Sequence, residues 1–99
     1  MIRDIQGYEN YQITDDGRVW SKITNKWLKA TDNGWGYLKV NLYKNGKMKC
    51  CRVHRLVANA FLPNPENLPQ INHKDEDKTN NNVSNLEWCD RAYNINYRK

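Results

Sequence analysis

The stretch Gln70–Tyr97, QINHKDEDKTNNNVSNLEWCDRAYNINY, decides how this chain folds. Gln70, Ile71, Asn72 and His73 read as a short strand that delivers His73 at its end. Lys74 to Asn82 follows without one apolar residue, a turn-rich loop of the kind that carries function or disorder. Val83, Leu86 and Trp88 then restore an apolar signal and read as a second strand. Asp90 is a good N-cap for a helix, because its carboxylate can accept a first-turn N–H. Asn94 falls one turn inside that helix. With Ala92 and Ile95 facing inward, Asn94 lies on the flank toward the strand end. His73 and Asn94, distant in sequence, are thus expected to meet across a strand–loop–strand–helix unit.

Upstream, PNPENLP at Pro63–Pro69 reads as an extended connector stiffened by its prolines. Before it, Val53 to Phe61 is an amphipathic helix: Val53, Leu56, Val57, Ala60 and Phe61 recur at helical spacing, and the helix ends before Pro63. His54 and Arg55 stand at its start. Gly36 to Tyr43 alternates as a strand with Leu38, Val40 and Leu42 on one face. Asn45-Gly46 signals a two-residue hairpin turn. That turn sets Lys44 opposite Lys47, Leu42 opposite Lys49, Val40 opposite Cys51 and Leu38 opposite Val53. The other face gathers Tyr37, Lys39, Asn41, Tyr43, Met48 and Arg52, a mixture of cations and aromatics suited to nucleic acid and equally to an ordinary solvated face.

The N-terminal part reads as further hairpins. Tyr11 and Ile13 alternate with polar neighbours, Asp15-Asp16-Gly17 turns the chain, and Val19 resumes a strand. Tyr8 and Tyr11 are expected to pack in the core. Arg18, Trp20 and Lys22 can share a strand face. Trp27 and Leu28 open another short strand, and Asp32-Asn33-Gly34 is a turn.

With 99 residues, this is one small domain or two subdomains on a common core. A mean hydropathy of −1.02 indicates a limited core. The 16 Lys and Arg exceed the 11 Asp and Glu, for a net charge of +5. A polyanion is therefore a natural partner, although a basic solubilising surface would look the same. Cys50, Cys51 and Cys89 form neither an even disulfide set nor a CxxC knuckle, so a reducing, intracellular setting is expected. No apolar run reaches signal-peptide or membrane-spanning length, and no membrane partner is expected.

The segments VHRLVANAF and INHKDEDKTNNNVSNLEWCDRAYNIN closely resemble the HNH endonucleases, in the homing and phage branch whose third motif residue is Asn. The resemblance implies an α+β fold: N-terminal antiparallel β-hairpins packed on a helix, then a C-terminal ββα-metal unit. It implies His73 as general base, Asn85 as the middle Asn that braces the loop and the histidine, and Asn94 as a metal ligand. Asn72 stands where many members carry a metal-ligating Asp, and Asp75 or Asp77 could compensate. Glu76 stands where this branch often has Gly. Residues Asp4 to Ser21, DIQGYENYQITDDGRVWS, resemble the short N-terminal module found beside HNH domains and thought to help bind DNA. Its usual leading Trp is absent. The expected division is 1–50 for a β-rich DNA-binding module and 51–99 for the nuclease domain.

Histidine is the side chain that titrates nearest neutrality, which suits it to take a proton from water. The resemblance implies one Mg²⁺ or Mn²⁺ per active site, held by Asn94 and Asn72, and cleavage of double-stranded DNA to 5′-phosphate and 3′-hydroxyl ends. Arg18, Lys22, Lys39, Arg52, Arg55, Lys74 and Lys78 are the candidate DNA contacts. His54 is expected to be structural or phosphate-contacting, not a second base. A homodimer or a separate specificity partner is expected to supply long-site recognition, in a protein encoded by a phage or mobile element. The competing reading is an HNH-shaped DNA-binding module without activity, and the neutral Asn72 favours it, while the constellation of His73, Asn85 and Asn94 favours the nuclease.

Overall fold

The computed structural model describes residues 1–91. It is α+β, with antiparallel sheets gathered on one helix. Strands β1 (Ile2–Ile5), β2 (Tyr8–Thr14), β3 (Val19–Ser21) and β4 (Lys26–Leu28) form a four-stranded sheet in sequence order. Strands β5 (Thr31–Asp32), β6 (Leu38–Lys44) and β7 (Lys47–Arg52) form the next sheet, and helix α1 (Val53–Phe61) follows at once. Strands β8 (Gln70–His73) and β9 (Leu86–Cys89) pair as a hairpin, with the 3-10 turn Val83–Asn85 leading into β9.

The Asn-Gly turn behaves as its sequence demands. Asn45 and Gly46 both have positive φ, 54° and 75°, as a type I′ turn requires. The ladder pairs Lys44 with Lys47, Leu42 with Lys49 and Val40 with Cys51. It stops at Lys39–Arg52. Leu38 therefore does not pair with Val53, because Val53 has already entered α1. Helix α1 has the boundaries that the apolar spacing sets, but its inner face is wider than the Val53–Leu56–Val57 stripe. His54 and Ala58 are buried, while Leu56, Ala60 and Phe61 are only partly covered.

One cluster of buried side chains joins the whole described chain. Ile5, Tyr11, Ile13 and Val19 come from the first sheet, Val40 and Leu42 from β6, Val53, Val57 and Ala58 from α1, and Ile71 and Leu86 from the last hairpin. A chain this short gains a core only by sharing it among sheets that would each be marginal alone. The tyrosyl hydroxyl of Tyr11 also accepts the N–H of Tyr43, so even the aromatic anchor ties the first sheet to β6.

The connector after α1 is folded back, not extended. Asn64 accepts from Leu68 N–H at 2.8 Å and donates to the Leu68 carbonyl at 2.9 Å, closing a small loop in which Asn67 has φ 52°. Arg55 and Trp88 pin it from either side, through the Pro69 and Leu62 carbonyls. This compact path places β8 against α1 and brings the two histidines of the chain together.

Candidate nuclease site

Strand β8 alternates, so Ile71 and His73 face the core and Asn72 faces the other way. The fully paired register sets His73 opposite Leu86 and Asn72 opposite Glu87. His73 is 3% exposed. Its ring lies 5.3 Å from the His54 ring and 6.0 Å from Tyr37, and His54 lies 5.2 Å from Tyr37. These rings close the inner wall of the site.

The loop that follows is held by side chains instead of ladder bonds. Asn85 is its hub: the carbonyl accepts from Lys74 N–H, Oδ1 accepts from Asp75 N–H, and Nδ2 donates to Asp75 Oδ1 and the Asn80 carbonyl. Asp75 also accepts from Asn80 Nδ2 and Asp77 N–H. These donors, Asn80 foremost, hold the Asp75 carboxyl below its usual range. Asp77 accepts from the Thr79 hydroxyl and N–H, which lower it likewise. Glu76 adopts φ 63°, the left-handed conformation that explains the glycine preference at this position.

Asn85 thus ties the two ends of the loop together, and the side chain in contact with the His73 ring is Asn81. Asn81 is 4% exposed, and its Oδ1 lies 2.9 Å from His73 Nε2. With Asn81 Oδ1 facing it, Nε2 is placed to donate, the tautomer that would leave the lone pair on Nδ1. His73 Nδ1, His54 Nδ1 and Asn81 Nδ2 are the buried side-chain nitrogens without a partner among the described residues. Unsatisfied buried polar atoms are rare in native folds, and here they converge on one place.

His54 is a different kind of histidine. Burial foremost, then the neighbouring His73, Arg55 and Arg52, push its pKa down to about 3. A neutral imidazole inside the fold is a packing element and offers no charge to a phosphate.

On the opposite face of β8, Asn72 Nδ2 donates to Glu87 Oε1 at 2.9 Å. The carboxylate that stands beside Asn72 is therefore Glu87, whereas Asp75 and Asp77 are engaged within their own loop. Spacing alone could not find Glu87, because it depends on the β8–β9 register across a long loop. Among the described residues, no group of three or more His, Cys, Asp and Glu is arranged to hold a metal. Asn94, together with the helix expected from Asp90, lies outside the described residues apart from Asp90 and Arg91.

The candidate DNA contacts fall into separate places. Lys78 Nζ sits 4.8 Å over the Tyr37 ring and donates to the Trp35 carbonyl, and Arg52 lies 6.0 Å over the same ring. Lys39 pairs with Arg52 in the ladder, so these cations border the His73 wall. Lys74 reaches toward the Ser84 carbonyl, and Arg55 is engaged with the connector. Arg18 lies over Trp27 and pairs with Asp16, while Lys22 pairs with Asp4. Those exposed pairs on the four-stranded sheet are weak enough to be exchanged for phosphate.

An α+β fold with a histidine at a strand end, a side-chain-braced loop and a hairpin against α1 is that of an HNH nuclease domain. Residues 51–95 match the HNH endonuclease family model and residues 3–43 the NUMOD4 motif. The chain thus carries an HNH endonuclease family domain preceded by a NUMOD4 motif. It is 46% identical over 91 residues to an uncharacterised HNH endonuclease of Acanthamoeba polyphaga mimivirus, covering 92% of this chain and 28% of that one. It is 40% identical over 94 residues to the DNA endonuclease I-HmuI of Bacillus phage SP01, covering 94% of this chain and 54% of the phage protein. The solved structure of the HNH homing endonuclease I-HmuI, described for DNA binding and cleavage, superposes with a TM-score of 0.92 at 39% identity, over 99% of this chain and 57% of that chain. This chain therefore spans about half the length of I-HmuI. No helix among the described residues is long and apolar enough to cross a membrane.

Proposed function

We propose that this chain is a divalent-metal-dependent DNA endonuclease unit that hydrolyses phosphodiester bonds in double-stranded DNA, with His73 as general base. The observation that carries this reading is the buried contact of His73 Nε2 with Asn81 Oδ1, which would leave Nδ1 as a lone-pair nitrogen without a partner among the described residues. His73 Nδ1 takes a proton from water, and the hydroxide attacks phosphorus. The bond to the 3′ oxygen breaks, and that oxygen takes a proton from a solvent water, giving 5′-phosphate and 3′-hydroxyl ends.

The oxygen donors on the far face of β8 fit a hard cation of the Mg²⁺ or Mn²⁺ type. Asn72 would hold it with Asn94, and Glu87 fixes the rotation of the Asn72 amide while adding the negative charge that an amide lacks. Bound there, such a cation would grip the scissile phosphate and neutralise charge on the leaving oxygen. Lys78, Arg52 and Lys39 border the site and would hold the flanking phosphates, while Arg18 and Lys22 would contact the duplex from the four-stranded sheet.

The test is relaxation of supercoiled plasmid with Mg²⁺ and with Mn²⁺. Nicked or linear product that EDTA abolishes is the expected result. Tight, salt-sensitive DNA binding without cleavage in either metal would overturn the nuclease reading in favour of a binding module.

A further inference from the structure

We propose that the Asp15–Gly17 turn of the N-terminal unit is a positioning element for the base: it clamps Asn81, and Asn81 sets the tautomer and orientation of His73. The proposal rests on the assignment of His73 as the base.

Asn80, Asn81 and Asn82 look alike in sequence, yet only Asn81 points inward. Asn80 binds Asp75 and Asn82 caps Ser84, both at the surface. What separates Asn81 from its neighbours is contact with a turn more than sixty residues earlier in the chain. Gly17 adopts φ +90°, and a Cβ built there would stand 2.9 Å from Asn81 Cβ and 3.3 Å from the Asn81 carbonyl. The turn and the loop therefore touch at a separation that admits hydrogen alone.

On the other side of Asn81, Val83 N–H donates to the Asp15 carbonyl at 2.8 Å. One turn thus holds both Asn81 itself and the chain two residues beyond it. The turn is itself rigid: Gly17 N–H donates to the Thr14 carbonyl, Thr14 N–H to the Arg18 carbonyl, and Arg18 N–H to Thr14 Oγ1. The Thr14 hydroxyl in turn binds the Asp16 carboxylate.

A contact that served packing alone would bury apolar atoms. This one buries an amide whose oxygen meets His73 and whose nitrogen has no partner among the described residues. Burying such a group is costly, and the cost is intelligible where the amide directs a ring. The NUMOD4 region is then more than a DNA-binding appendage, because part of it completes the nuclease site.

The test compares wild type with Asn81→Ala, Gly17→Ala and Val83→Pro. The last removes the N–H that the Asp15 carbonyl accepts, at the first position of a 3-10 turn where proline is tolerated. Imidazole ¹⁵N spectra of the metal-free proteins report the His73 tautomer, and single-turnover cleavage with parallel DNA-affinity measurement separates rate from binding.

Wild type is expected to show one tautomer, with the proton on Nε2. Asn81→Ala should mix the tautomers and slow cleavage by roughly tenfold to a hundredfold, part of the contribution of a well-placed base, with DNA affinity within about twofold. Gly17→Ala and Val83→Pro should show the same pair of changes in milder form. If Gly17→Ala does not fold, Val83→Pro carries the test of the turn. A wild-type proton on Nδ1, or turn variants with an unchanged tautomer and rate despite a lowered Tm, would overturn the proposal. Absence of cleavage by wild type would defeat the nuclease reading alone, and the tautomer spectra would still decide the clamp.

Discussion

The Asn45-Gly46 hairpin and the loop between β8 and β9 both join antiparallel strands through polar residues, and they are built on opposite principles. In the hairpin, two residues with positive φ turn the chain, and the ladder beside them does the rest. In the loop, side chains supply most of the specific bonds beside a few backbone turns: Asn85 and Asp75 hold its ends, Asp77 and Asn82 hold its turns, and Asn81 answers to a distant glycine. A local rule produces the first. A network produces the second, and a network can be tuned to present one ring in one orientation.

The comparison breaks most readily at Asn85. Asn85→Ala removes three side-chain hydrogen bonds from the loop, and at about 1 kcal/mol each it should lose about 3 kcal/mol of stability in a urea titration. Cleavage should fall with it. A loss below about 1 kcal/mol would mean that the network is redundant.

Acid should act on the ring wall next. The folded pKa of His54 is depressed to about 3, below its ordinary 6.5, so the unfolded chain binds more protons between those values. His54 therefore contributes stability that is fully present above pH 6.5 and is lost as pH falls toward 3. The slope approaches about 1.4 kcal/mol per pH unit at most. Thermal melts from pH 7 to pH 4 should show this decline, and His54→Phe should flatten it.

The hairpin offers the contrast. Asn45→Ala places a non-glycine Cβ without a helpful side chain at φ 54° and should cost about 1 kcal/mol, with no change in cleavage. An altered cleavage rate there would show that the two connections are coupled.

The smallest effect runs the other way. Glu76 stands at φ 63°, so Glu76→Gly should relieve strain and raise stability by up to about 1 kcal/mol. A measurable loss would show that the Glu76 side chain has a stabilising role that its backbone conformation does not reveal.

The same contrast explains what the sequence could disclose. The Asn-Gly turn, the register from Lys44–Lys47 to Val40–Cys51 and both ends of α1 follow from spacing within a dozen residues. His73 at a strand end, the polar loop and the bracing Asn85 follow from the motif and its local pattern. Strand β1 escaped because Ile2–Ile5 carries charged residues at Arg3 and Asp4 and too short an apolar signal. The connector looked extended because its prolines are visible in sequence, while the Asn64 bonds that fold it are not. Glu87 and Asn81 escaped for one shared reason: each acquires its partner across a long separation. Asn72 meets Glu87 through the hairpin register, and Asn81 differs from its two neighbours by its contact with the distant turn at Gly17.

The most direct measurement is single-turnover cleavage of supercoiled DNA by wild type and His73→Ala, with DNA affinity measured in parallel. If His73 is the base that the loop presents, the variant should bind DNA with wild-type affinity and cleave it about a hundredfold to ten-thousandfold more slowly. Unchanged cleavage by His73→Ala would contradict the account at its centre.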